Sequence, residues 1–168
     1  MCIRDSRRAV ELQPENALYH FELGATLGTA GEVSEGIQEC WISDGLDPSW
    51  ELPKVEVGII LLNAGRSPEA LAHLEQMAEG QENLSVHLAF NLGVARSRCG
   101  EYGRALEALL RVVELQADHA LALDVAAHSA FMVGDGKTGR RLAKKANDLG
   151  RSETYVAWRK GKYRGERV

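Results

Sequence analysis

Proline is scarce in this chain of 168 residues, at 4 copies, and aromatic side chains make up only 6% of it. Both shortages suit helices better than sheets, which draw on aromatic strand residues and proline-marked turns. Long apolar runs are also missing. The longest, Val57-Gly-Ile-Ile-Leu-Leu62, is broken by Asn63 and Gly65, short of the roughly 18 apolar residues that mark a membrane-spanning helix. Cysteine is confined to Cys2, Cys40 and Cys99, without a Cys-x-x-Cys spacing or a neighbouring histidine cluster. That pattern supports neither a metal site nor a disulfide framework, and Cys40 and Cys99 are expected to pack as small apolar groups. The histidines at 20, 73, 87, 119 and 128 make no His-x-x-x-His or His-Glu-x-x-His pattern, and no serine stands in Gly-x-Ser-x-Gly. With no zinc-hydrolase pattern and no nucleophile elbow, catalysis has no handle in the sequence. The expectation is a non-enzyme with no metal and no cofactor.

What is present is ordinary for a folded domain: 45% hydrophobic and 26% charged residues, in a chain long enough to bury about two-thirds of the surface its unfolded form exposes. The net charge of −4 conceals an asymmetry. Residues 137–168 carry eleven basic side chains against three acidic ones, a net of +8, which leaves −12 on residues 1–136. At the other end, Met1-Cys-Ile-Arg-Asp-Ser6 is similar to the translation of a transposase end sequence used in sequencing libraries. Residues 1–6 are therefore set aside as non-native, and the native chain is expected to continue upstream. The compartment is left open on this reading, with the cytoplasm as the default.

Internal repetition organises the rest. Leu23-Gly24, Val57-Gly58, Leu92-Gly93 and Ala126-Ala127 recur at intervals of 34, 35 and 34 residues. Gly31, Gly65, Gly100 and Gly134 keep the same intervals, as do Gly36, Ala70, Ala105 and Gly139. The extra residue fits in the polar loop Glu79-Gly-Gln-Glu-Asn-Leu-Ser85, where an insertion costs little. Apolar residues between these markers repeat at helical spacing, as in Leu106, Leu109, Val112 and Val113. Each unit thus reads as a helix pair, the first helix ending near the second glycine series, where positive φ is easily supplied. Ser34 and Ser67-Pro68 read as N-caps of second helices. The small residues at 24, 58 and 93 let paired helices approach closely, with Ala70 and Ala105 as the matching surface.

These residues together resemble the tetratricopeptide repeat (TPR) family, whose unit favours Leu-Gly in its first helix, Ala early in its second, and Ala then Pro near its end. Ala17 to Trp50 matches through Leu23-Gly24, Leu27, Gly31 and Pro48, although Gly36, Cys40 and Ser43 replace commoner residues. Ala9-Val-Glu-Leu-Gln-Pro14 resembles the family's exit from a second helix, and Gly100-Glu-Tyr-Gly-Arg-Ala105 its turn into one. The resemblance implies an all-α, right-handed superhelix (solenoid) of antiparallel helix pairs. Its expected divisions are 7–16, the second helix of a truncated repeat; four repeats at 17–50, 51–85, 86–119 and 120–153; and 154–168, a short capping helix, Thr154 to Lys160, with a frayed basic tail from Gly161.

The resemblance also implies a binding surface, because family members line a concave groove with the first helix of each unit. Carried over, the groove residues are Phe21, Leu52, Val55, Ile59, Leu62, Asn63, His87, Phe90, Val94, Arg98, Asp124 and His128, with Leu18, Leu121, Phe131 and Met132 beside them. Such a lining suits an extended or helical peptide anchored by bulky side chains. The function expected is that of a protein–protein interaction scaffold that takes a peptide or partner domain, itself monomeric or weakly self-associating. The alternative is the repeat arm of a larger enzyme, of glycosyltransferase or sulfotransferase type. An RNA-binding helical repeat fits the 35-residue interval but not the Leu-Gly pairs or the acidic first 136 residues, and nucleic acid is not the expected partner. Gly134-Asp-Gly-Lys-Thr-Gly139 satisfies Gly-x-Gly-x-x-Gly. It aligns with the inter-helix turns of the other units and follows a helix instead of a strand, so it reads as a turn and not a phosphate loop. The basic residues Lys137, Arg140, Arg141, Lys144 and Lys145 read as a solvated helix face.

Overall fold

The computed structural model describes residues 2–150 and 152–163. Among these residues it contains ten α-helices and no strand: α1 (Ile3–Leu12), α2 (Ala17–Ala30), α3 (Val33–Leu46), α4 (Leu52–Asn63), α5 (Ser67–Ala78), α6 (Val86–Arg98), α7 (Tyr102–Leu115), α8 (Ala120–Met132), α9 (Gly136–Asp148) and α10 (Glu153–Arg159). Among the described residues, no helix is long and apolar enough to cross a membrane. The residues set aside at the N-terminus are not separate from the fold, because Ile3–Ser6 form the start of α1 and Ser6 is buried.

The chain divides into two compact units, one running to Met77 and the other from Ala78. In the first, α2 packs on α1 and α3, α3 on α4, and α2 also touches α4. In the second, successive helices pack from α6 through α10, and α6 touches α8 as α8 touches α10. Each unit therefore combines sequential helix packing with contact between alternate helices, the arrangement of a helical-repeat solenoid.

The inter-helix turns are one backbone motif used repeatedly. At the end of α2, Gly31 takes φ 90°, its N–H donates to the Gly28 carbonyl, and Glu32 N–H donates to the Leu27 carbonyl. These two bonds satisfy carbonyls left open at a helix end, and the left-handed geometry at their centre favours a residue without Cβ. The same pair of bonds recurs at Gly65, Gly100 and Gly134. It recurs once more at Gly161, where Lys162 N–H donates to the Ala157 carbonyl at 3.0 Å and φ is 87°. In the basic tail expected to fray from Gly161, residues 161–163 form this turn, and Arg164 to Val168 lie outside the described residues.

Because the next helix starts two residues past each turn glycine, the expected serine caps are displaced. Ser34 lies inside α3, whose N-cap is Glu32, and Ser67 is the first residue of α5. Helix pairing relies on small residues where it is tightest. A Cβ on Gly24 would stand 2.7 Å from Cys40 Sγ and 2.8 Å from the Gly36 carbonyl oxygen, so α2 and α3 meet almost backbone to backbone. Gly58 and Gly93 instead admit the side chains of Leu74 and Leu109. Cys40 is fully buried, and burial, helped by Glu56 and Glu39, pushes its thiol up to about 12. Cys99 is half-buried.

Candidate functional site

The first helices α2, α4, α6 and α8 carry the expected groove residues, and the two units treat them differently. In the first unit, Val55 and Leu62 are 1% and 4% exposed. They belong to the core, because α4 is packed on α2 and α3, and they are withdrawn from the expected lining. Phe21 is half-buried against Trp50, ring centroids 4.8 Å apart. Leu52 and Ile59 are half-buried and Asn63 is exposed. Leu18 is exposed on α2.

In the second unit, four expected residues come together. Val94, Arg98, Asp124 and His128 line one open cleft of about 560 Å³ with Ser97, Tyr102, Val125, Glu153, Thr154, Ala157, Lys162 and Tyr163. It is floored by α6 and α8 and walled by α10 and the turn after it. The remaining expected residues stand apart. His87 is exposed, and Phe90 lies against the His119 ring, centroids 4.6 Å apart, while His119 accepts from Ala122 N–H as the N-cap of α8. Leu121 and Met132 are exposed, whereas Phe131 is only 3% exposed.

Asp124 serves the fold more than the cleft. Its carboxylate accepts from the Ser152 hydroxyl and, at 3.2 Å, from Thr154 N–H, while its backbone carbonyl accepts from the Thr154 hydroxyl at 3.3 Å. Ser152 in turn accepts from Tyr155 N–H. This network fixes the N-terminus of α10 by giving its open N–H groups acceptors. Tyr155 and Trp158 then pack on the core of the second unit.

His128 is the centre of an aromatic cluster. Tyr102 meets its ring edge-on, centroids 5.7 Å apart, and the Tyr163 hydroxyl lies 2.8 Å from His128 Nδ1. The Tyr163 ring stacks on Phe131 with centroids 4.4 Å apart and planes 9° apart. Sequence reading missed both tyrosines. Tyr102 lies two residues past a turn glycine, on a second helix, and the groove rule counts positions only along first helices. Tyr163 follows a turn that lies off the repeat interval, since Gly161 stands 27 residues after Gly134.

The glycine-rich segment has its anion position filled from within. Gly134 closes α8, and the Asp135 carboxylate accepts from Thr138 N–H at 3.0 Å as the N-cap of α9. Hydrogen bonds from the Thr138 side chain and then from its backbone N–H hold the carboxyl below its ordinary range. A phosphate at this helix start would have to displace a carboxylate already there. Among the described residues, no group of three or more His, Cys, Asp or Glu is placed to hold a metal ion.

No protein-family model matches the chain, and no curated protein does. Solved structures do. The chain is similar to MamA, 18% identical, with 88% of this chain and 85% of that one covered at a TM-score of 0.68. It is similar to PilW, described as a widely conserved type IV pilus biogenesis factor, at 16% identity and a TM-score of 0.77, with 96% and 76% covered. It is also similar to YrrB, described as a TPR protein with an unusual peptide-binding site, at 19% identity and a TM-score of 0.66, with 95% and 81% covered. At such identities the likeness speaks for the fold alone. Glycine-turned helix pairs at a regular interval, packed in sequence and matching these structures over most of their length, make the chain a TPR-like helical-repeat protein.

Proposed function

We propose that the chain is a protein-binding module, with no chemistry of its own, that holds a segment of a partner protein against its first-helix faces. On this reading the cleft of the second unit is the receiving site. The observation that carries this reading is the convergence of Val94, Arg98 and His128 from two first helices on one open cleft. An apolar wall, a cation and an aromatic cluster side by side suit a peptide that inserts one bulky side chain and orients its backbone by polar contacts. That one structurally similar protein is described as having a peptide-binding site is consistent with this use of the fold.

The test is a displayed random-peptide library selected on the intact chain. Peptides so obtained are expected to lose at least tenfold in affinity for a Val94→Glu, Arg98→Glu chain, about 1.4 kcal/mol, and to retain it for a Lys144→Glu chain. Neither cleft position is fully buried, so both variants are expected to keep the wild-type far-UV circular dichroism spectrum. Peptides indifferent to the cleft substitutions would refute the assignment.

A further inference from the structure

The aromatic cluster at the edge of the cleft shows which side chain this surface accepts, because Tyr163 already covers it. The Tyr163 ring lies flat on Phe131 and its hydroxyl meets His128, a stacked surface plus a polar handle that suits a phenol. Tyr163 arrives from the turn at Gly161, one residue past the Lys162 N–H bond to the Ala157 carbonyl of α10, so it is held on a short leash. The positions equivalent to His128 and Phe131 one repeat earlier are Val94 and Ser97, so the phenol-binding pair is confined to α8. The cleft continues past Tyr163 along Val94, Arg98 and Tyr102, which leaves room for residues flanking an inserted tyrosine.

We propose that His128 and Phe131 form a tyrosine-recognition subsite, that the chain's own Tyr163 fills it in cis, and that a partner segment carrying a tyrosine enters by displacing Tyr163. The inference rests on the cleft being the binding site and adds the chemistry of the ligand and its control. A tethered occupant competes at a high effective concentration, on the order of millimolar for a short link. An external segment therefore binds with an affinity reduced by the fraction of chains in which Tyr163 has left. Lys162, whose Nζ stands 5.9 Å from the Tyr163 ring centroid, leaves with it.

The experiment uses the full chain and a fluorescein-labelled hexapeptide with the sequence of residues 158–163, Trp-Arg-Lys-Gly-Lys-Tyr, followed by fluorescence anisotropy. Tyr163→Ala is expected to bind the peptide about tenfold more tightly than the unaltered chain. Tyr163→Phe, which keeps the stack and loses the hydroxyl, should fall between them. A His128→Ala, Tyr163→Ala chain should lose that gain, and so should a peptide ending in alanine. Equal binding by the unaltered and Tyr163→Ala chains, or no binding by either, overturns the proposal. In the unaltered chain, which needs no substitution to fold, saturating peptide should abolish the nuclear Overhauser contacts between Tyr163 and Phe131. Their persistence with the peptide bound overturns the displacement of Tyr163, whereas failure of the cleft reading itself appears separately, as selected library peptides that ignore Val94 and Arg98.

Discussion

At the scale of single residues, burial rewrites what side chains do. His20, 5% exposed, is clamped between the Glu39 carboxylate, 2.6 Å from Nδ1, and the Pro14 carbonyl, 2.9 Å from Nε2. A histidine in no metal pattern thus ties α2 to α3 and to the loop before α2. Cys40, its thiol raised to about 12, stays protonated at mildly alkaline pH and has no path to reagents. Iodoacetamide at about pH 8 is expected to alkylate exposed Cys2 and leave Cys40 unmodified until the chain is unfolded. Mass spectrometry of the peptides reads this directly, and labelling of Cys40 at the Cys2 rate would contradict its burial. Glu56 is raised by burial above the ordinary 4.5, so the folded chain holds that proton more tightly than the unfolded chain. Its ionisation therefore subtracts from stability as pH rises through the window above 4.5. Glu56→Gln is expected to melt at a higher temperature than the parent at about pH 7, the two converging near pH 4. A variant that melts lower at neutral pH would show that Glu56 gains more from its neighbours than burial takes away.

At the scale of elements, the turns were legible and the faces were not. Positive φ is a local demand that few residues other than glycine meet, so Gly31, Gly65, Gly100 and Gly134 announce the helix ends directly. The caps were less legible, because a turn closed by two backbone bonds starts the next helix without a side-chain oxygen at Ser34 or Ser67. Burial of Val55 and Leu62 depends on which helices meet α4, and helical periodicity names a face without naming what covers it. The crossing of α2 and α3 offers a matched pair of tests. Gly24→Ala forces a Cβ toward Cys40 and the Gly36 backbone and should lower stability by about 1–3 kcal/mol. Gly45→Ala, also helical but with open space around the added carbon, should raise it by about 0.5–1 kcal/mol. Urea denaturation measures both, and a neutral Gly24→Ala would mean that the helices do not pass as closely as described.

At the scale of the whole molecule, charge and shape belong to different faces. The described basic residues of α9, Lys137, Arg140, Arg141, Lys144 and Lys145, are all exposed, whereas Arg66 and Arg104 each pair with a glutamate three residues away. A solvated basic helix favours encounter with acidic partners over a long range but carries little geometric information. The cleft between α6, α8 and α10 carries that information, in Val94, Arg98, Tyr102 and His128. The two faces therefore predict different footprints for a bound partner. A map of backbone amide shifts in the chain, titrated with a library-selected peptide, separates them most directly. The account predicts that the largest shifts cluster at Val94, Arg98, Tyr102, Val125 and His128 while the α9 face stays unmoved. Shifts concentrated on Arg141, Lys144 and Lys145, with the cleft unperturbed, would contradict it.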